Sequence, residues 1–390
     1  MTTHSKIQKL QAELNATFLE RDHHIEMCLL AVLARVHVLM LGKPGTGKSA
    51  LTRALAQALG GKYWEKLMTR FTAPDELFGP PKFSALKLDR FERETMNTIL
   101  DCSFPFVDEV FKAGSAILNT LLTAMNERVF HNGSQGILKL PLVTLFGASN
   151  ELPEGKELEA LFDRFLVRLN FDYVAQQSSK KAMVRGAGSQ PIKTSLTLAE
   201  VEAAQAEVIA VTLTDACVDG VLEIHARLAA EGIEVSDRRL QALMALVKAA
   251  AWMDGETEAA REHLGVITDA LWREPKERTK VQKIVGEVAD PVGLLALGLL
   301  DAAHETAAKA KALRNSERGA YLKAVGDAKE AFEQTVRQLN DLAKTAGKRA
   351  AHTVASAKAE VQALDMEMAR AISAQLGLGA LRGGGSSEVN

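Results

Sequence analysis

Apolar positions along this chain keep two different rhythms, and the change between them divides it. Residues 7–19 and 25–34 place hydrophobic side chains at helical spacing. The run 36–41 is continuously apolar and short, the pattern of a buried strand, and 48–59 returns to helical spacing. The exchange then repeats. A second strand is expected over 64–69, and a short apolar strand starts at Pro105 and ends at Asp108. An amphipathic helix over 117–125 follows, then a hairpin over 129–140 turning at Asn132-Gly133. A strand over 142–148 and a helix over 158–165 come next. Pro74, Gly79, Pro80 and Pro81 punctuate an irregular segment. Strands alternating with helices predict an α/β fold with a parallel sheet, here assigned to residues 1–175.

Beyond that point strand signals nearly vanish. Residues 176–197 are rich in Ser, Lys and Gly and read as a linker. Helical patterns over 198–208, 215–231, 237–253 and 264–271 predict an all-α domain over 176–290. Asp290-Pro291 breaks the pattern, and an Ala-rich helical arm over 291–382 leads to a Gly/Ser tail, 383–390. Within the arm Val325, Phe332 and Leu339 repeat every seven residues, as do Val354, Val361 and Met368. Two helices breaking near Gly347 are expected, either folded as a hairpin or packed as a coiled coil.

Composition narrows the class. With 47% hydrophobic and 25% charged residues the chain reads as globular, and its 390 residues suit two or three domains. A net charge of -2 argues against a general polyanion binder. Cys28, Cys102 and Cys217 lie far apart, which predicts no cysteine-based metal site and a reducing compartment. The polar first ten residues lack a signal core and no apolar run is long enough to span a bilayer, so a cytoplasmic location is expected.

The candidate chemistry begins where the first strand ends. Gly42-Lys43-Pro44-Gly45-Thr46-Gly47-Lys48-Ser49 satisfies every position of G-x-x-x-x-G-K-[ST], between a strand and a helix. Unpaired N–H groups of such a loop, continuing through Ala50, wrap a polyphosphate at a helix N-terminus. Lys48 is placed to reach the β/γ-phosphates and Ser49 to put its hydroxyl on Mg²⁺. Asp108, at the end of a neighbouring strand, suits the other side of the metal shell. Glu109 is positioned to polarise a water for attack on the γ-phosphate. Asn150, after another buried strand, is a polar residue able to orient that water.

In this order the residues resemble the AAA+ ATPases, and among them the MoxR family, with the RavA-type branch nearest. The likeness runs from Glu20-Arg21-Asp22-His23-His24-Ile25 through Gly42–Ser49, Leu67–Thr72, Pro74–Pro80, Val107–Ala113, Ile117–Arg128, Ala148–Pro153 and Leu161–Phe165 to Val235–Arg239. It covers about residues 10–285, and the last hundred residues do not share it. The resemblance implies a P-loop NTPase core, a parallel sheet sandwiched by helices, with an all-α lid and, here, a C-terminal helical hairpin. It implies ATP and Mg²⁺ as cofactors. Asn150 takes the place of sensor 1, and Arg164 that of an arginine finger reaching a neighbouring subunit's nucleotide. Arg168 and then Arg128 are alternatives to Arg164. Arg238 or Arg239, with Arg239 slightly favoured, takes the place of sensor 2, and His24-Ile25 lies where relatives cover the adenine. Hairpin insertions are expected over 83–100 and 128–140.

The activity implied is ATP hydrolysis in a ring homo-oligomer, a hexamer, that remodels a partner protein complex. A separate von Willebrand factor A-domain protein is the implied partner. A nucleotide-gated scaffold, whose C-terminal arm recruits a partner, is the alternative. A nucleic-acid motor is disfavoured, because His131–Gly136 at the hairpin turn carries neither Lys nor Arg.

Overall fold

A computed structural model of the chain describes residues 2–153, 155–186, 190–313 and 318–375; the expected tail, 383–390, lies outside them. Two compact units divide the chain: Met1–Val218 with His225–Val281, and Asp219–Ile224 with Gln282–Asn390. The first unit opens with helices α1 (Thr3–Thr17) and α2 (Asp22–Leu33). Strand β1 (His37–Leu41), helix α3 (Lys48–Ala58) and β2 (Tyr63–Leu67) follow. After the short helices α4 (Pro74–Phe78) and α5 (Phe83–Leu86) come β3 (Phe104–Asp108), α6 (Ser115–Glu127), β4 (Val129–His131) and β5 (Ile137–Lys139). The core ends with β6 (Phe146–Ser149), α7 (Lys156–Arg164) and β7 (Phe165–Asn170).

Five strands form one parallel sheet in the order β2-β3-β6-β1-β7. β1 lies between β6 and β7 and all five of its residues are buried, which explains its unbroken apolar run. Pro105 stands second in β3 rather than first. It pairs with Trp64 of β2, while β6 meets β3 only at Phe106 and Val107. The missing proline N–H therefore falls outside the β3–β6 ladder. Strand β7 was not expected. Helix α7 passes into it without a Gly, Pro or Asn to mark the change.

His37, the first residue of β1, is a buried polar junction. Its Nε2–H donates to Met125 O at 3.0 Å, and its Nδ1 accepts the Leu145 N–H at 3.0 Å. This pair of bonds requires the neutral ring, and burial pushes its pKa down to about 4.

Both insertions differ from simple hairpins. β4 and β5 are antiparallel, but residues 132–136 connect them in place of a two-residue turn, with Asn132 N–H bonded to Gly136 O at 2.8 Å. The expected 83–100 hairpin is a loop containing α5, closed by a single Pro81–Arg93 bridge. Buried Asn132 joins the two insertions. Its Oδ1 accepts the Arg93 N–H at 2.7 Å, and its amide donates to Arg93 O at 3.2 Å.

The expected linker contains helix α8 (Gln177–Val184). Two carboxylates tie the segment to the core. Glu20 accepts the N–H groups of Ala175 and Gln176 at 2.7 and 2.9 Å, and Glu13 those of Lys193 and Thr194 at 2.8 and 2.9 Å. Helices α9 (Leu198–Ala210), α10 (Asp215–Ala230) and α11 (Asp237–Met253) follow. α11 packs against α2 and α9. The helix expected over 264–271 is a 3₁₀ segment, Arg261–Ile267, running into α12 (Thr268–Leu271), and α13 is Arg278–Ala289.

In the second unit α14 (Pro291–Ala312), α15 (Arg318–Ala343) and α16 (Lys348–Gln375) form a three-helix bundle. The expected hairpin is α15 with α16, and α14 completes it. α14 and α16 run in the same direction, as the ion pairs His304–Glu360 at 3.1 Å and Lys311–Glu367 at 2.9 Å show. Val325, Phe332, Leu339, Val354, Val361 and Met368 are all buried inside this one bundle. The heptads are thus satisfied within the chain, against small Ala residues on α14.

The His37 geometry sets a pH dependence. The unfolded chain protonates this histidine near pH 6.5 and the folded chain only near 4, so its contribution is complete above pH 6.5 and is lost as pH falls toward 4. About 3 kcal/mol of stability should disappear across that window. Urea unfolding of wild type and His37→Gln between pH 7 and 4 checks this: the variant should show the flatter profile.

Candidate nucleotide site

Parallel pairing brings the ends of β1, β3 and β6 to one edge of the sheet. The phosphate loop leaves β1 there. Gly42 has φ +140°, and a Cβ on it would lie 2.1 Å from Phe171 O, so only glycine fits. Gly45 and Gly47 also have positive φ, 77° and 88°, and Lys48 begins α3. Lys48 Nζ donates to Gly42 O at 2.5 Å and Lys43 O at 3.0 Å, and its side chain is buried. Burial pulls its ammonium below the ordinary lysine range, and the nearby Asp108 and Glu109 carboxylates oppose that pull. Pro44 lies exposed in the loop, Ser49 is half-buried and Ala50 is exposed in the first turn of α3.

β3 delivers Asp108 and Glu109 to the same edge. Asp108 Oδ1 accepts the Glu109 N–H at 3.0 Å. Glu109 adopts φ +53°, a strained setting for a residue with a side chain. Its Oε1 accepts from Asn150 Nδ2 at 2.7 Å, and Lys112 Nζ lies 3.3 Å from Oε2. The structure therefore brings Lys48, Asp108, Glu109 and Asn150 together from three strand ends.

Beside the loop lies a cavity of about 400 Å³, bounded by Gly45, Thr46 and Gly47 on one side and by Phe18, Leu19 and Tyr173 on others. Arg21 braces it. Its guanidinium donates to Thr46 O at 3.3 Å and to Asp172 O, and lies 5.4 Å from the Phe171 ring centroid. His24 and Ile25 do not line this cavity. His24 Nε2 bonds to Asn170 O at 2.8 Å with its ring 4.4 Å from Phe171, and Ile25 is wholly buried in the core. Tyr173 lies in no motif, and Arg21 lies in the Glu20–Ile25 motif without a role assigned to it; both are placed here by the chain that follows β7, which sequence patterning missed.

Arg164 lies at the other edge. It precedes Phe165, which pairs with His37 at the start of β1. Roughly 13 Å of strand separates that point from the phosphate loop. Its guanidinium sits 3.8 Å from Asp163, its Nε is buried without a hydrogen-bond partner, and burial together with Arg238 lowers its pKa. Arg238 is exposed and donates to Asn126 Oδ1 at 2.5 Å. Arg239 is buried and spends its donors on Asp163, Phe165 O, Leu166 O and Ala270 O. Arg239 thus braces core and lid, and Arg238 is the member of the pair that faces solvent. The alternatives to Arg164 are engaged elsewhere: Arg168 is buried, 3.9 Å from the Phe162 ring centroid and bonded to Trp272 O, and Arg128 bonds to Arg35 O and Leu142 O.

Strand order, phosphate loop and helical lid define an AAA+ P-loop ATPase. Residues 5–210 match the MoxR domain in the MoxR-vWA-beta-propeller ternary systems, and 216–285 match an AAA lid domain. An uncharacterised protein of Methanocaldococcus jannaschii is 40% identical over 285 residues, 73% of this chain and 76% of its own. Protein MoxR of Paracoccus denitrificans is 28% identical over 184 residues, 46% of this chain and 54% of its own. The chain belongs to the MoxR family of AAA+ ATPases. A crystal structure of a candidate ATPase from Cytophaga hutchinsonii shares the fold, with TM-score 0.60 and 19% identity over 73% of this chain and 94% of that one. No helix among the described residues is long and apolar enough to cross a membrane.

The geometry separates binding from turnover. Lys48→Ala should abolish ATP binding in equilibrium dialysis. Glu109→Gln should keep binding while phosphate release falls roughly a hundredfold or more.

Proposed function

We propose that this chain hydrolyses ATP to ADP and phosphate in a ring of identical subunits, a hexamer, and uses the cycle to remodel a partner protein complex. The observation that carries this reading is the Asn150–Glu109 hydrogen bond at the edge where the phosphate loop lies. Asn150 holds one Glu109 oxygen and leaves the carboxylate aimed by its neighbours. Glu109 takes the proton of the attacking water, and Asn150 orients that water. Loop N–H groups and Lys48 hold the β- and γ-phosphates. The donor set, a hydroxyl opening a helix and a carboxylate ending a strand, fits Mg²⁺, which Ser49 and Asp108 would hold. When bound, the ion neutralises charge developing on the phosphates.

Arg164 lies too far from its own phosphate loop to serve it, which supports action on a neighbouring copy, with Arg238 beside it. A guanidinium there stabilises charge that develops on the transferring phosphoryl group. The partner fitting the matched domain model is a separate von Willebrand factor A-domain protein, with a β-propeller protein as a third component. That model describes propeller-associated systems and does not speak for the RavA-type branch. The nucleotide-gated scaffold stands as a second reading on one observation, a groove of about 620 Å³ on the bundle lined by Leu294, Leu295, Leu299 and Leu342.

The test is the steady-state ATPase rate against protein concentration. Specific activity should rise with concentration in wild type and stay low and flat in Arg164→Ala. Mixing Arg164→Ala with Glu109→Gln should restore activity, because mixed rings contain intact sites. A wild-type rate independent of concentration would overturn the shared site and favour the scaffold.

A further inference from the structure

The cavity beside the phosphate loop has an outer wall that the phosphate-binding motif does not supply. Tyr173 stands three residues beyond the end of β7, with 57% of its surface exposed. Its hydroxyl donates to Pro44 O at 3.3 Å, and Lys43 Nζ lies 5.9 Å from the ring centroid. The ring is therefore held beside the loop by contacts at its hydroxyl and over its face.

The chain on both sides of Tyr173 is fastened. Before it, Asp172 O accepts from Arg21, whose guanidinium also holds Thr46 O of the loop. After it, the Glu20 carboxylate takes the N–H groups of Ala175 and Gln176, at the start of α8. Met183 of α8 reaches the same cavity, as do Phe18, Leu19 and Val174. The charged side chains lining it are Arg21 and Lys180, with no carboxylate. This is an apolar slot with positive potential, backed on one side by the loop glycines. A flat heteroaromatic ring with phosphates attached is the ligand class such a slot suits.

We propose that Tyr173 is the base-stacking residue of the nucleotide site. The assignment rests on the reading of the chain as an ATPase and adds to it the residue that recognises the base. Stacking on an aromatic face is indifferent to the phosphates, so losing it weakens nucleotides and spares inorganic polyphosphate. A purely bracing role, through the Tyr173–Pro44 bond, has a different signature. It would distort the loop and weaken every phosphate ligand alike.

Isothermal titration of the full chain with ATP and with inorganic tripolyphosphate, both with Mg²⁺, separates the two. Tyr173→Ala should weaken ATP roughly tenfold and leave tripolyphosphate within about twofold of wild type. Tyr173→Phe keeps the ring and loses the hydroxyl, and should bind ATP within about twofold of wild type. Unchanged ATP affinity in Tyr173→Ala would overturn the assignment. So would an equal loss of tripolyphosphate, or a Phe variant as weak as the Ala variant. If wild type bound neither ligand, the ATPase reading itself would fall, and the assignment with it.

Discussion

A parallel sheet has two unlike edges, and this molecule depends on that inequality. Every strand of the five-stranded sheet points the same way, so whatever follows a strand collects at one edge and whatever precedes it at the other. The phosphate loop, Asp108-Glu109 and Asn150 all follow strands. Arg164 precedes one. No side-chain rotation can bring Arg164 to the loop that follows β1, because β1 itself lies between them. That separation is the physical basis for proposing that Arg164 serves a neighbouring copy in a ring.

The same edge also shows how polar groups are held in a largely apolar core. Lys48 is buried, yet its ammonium bonds to two loop carbonyls and faces two carboxylates. His37 is buried at the opposite end of β1 and remains neutral because one nitrogen must donate and the other accept. Arg239 is buried with its guanidinium saturated by carbonyls of β7 and α12 and by Asp163. In each case burial is tolerated because the bonds are complete. Arg164 and Arg168 are less complete, each keeping a buried Nε without a hydrogen-bond partner.

The stretch after β7 carries more of the site than its composition suggests. Ser, Lys and Gly enrichment normally accompanies a flexible connection, and that composition gave no hint of α8. Here Glu13 and Glu20 hold successive backbone N–H groups of the segment against α1 and the loop after it. Two acidic side chains 155 to 181 residues away in sequence thus decide where the linker runs. The C-terminal heptads illustrate the reverse. Their periodicity was plain, but a seven-residue repeat is equally satisfied by a partner chain or by the chain's own helices, and α14 supplied the third face.

The sequence by itself determined the nucleotide chemistry. A glycine loop between a buried strand and a helix has few other uses, and Asp108-Glu109 at a strand end gains meaning from it. Alternating strands and helices determined the fold class for the same reason, since local periodicity reports which faces are buried. Only the tertiary structure decided the rest. It placed Asn150 on Glu109, set Arg239 into the core–lid junction and turned Arg238 outward. It put Tyr173, and not His24 or Ile25, on the cavity beside the phosphate loop. Each of these depends on pairings between residues far apart in sequence, and above all on β7, whose start no local signal marks.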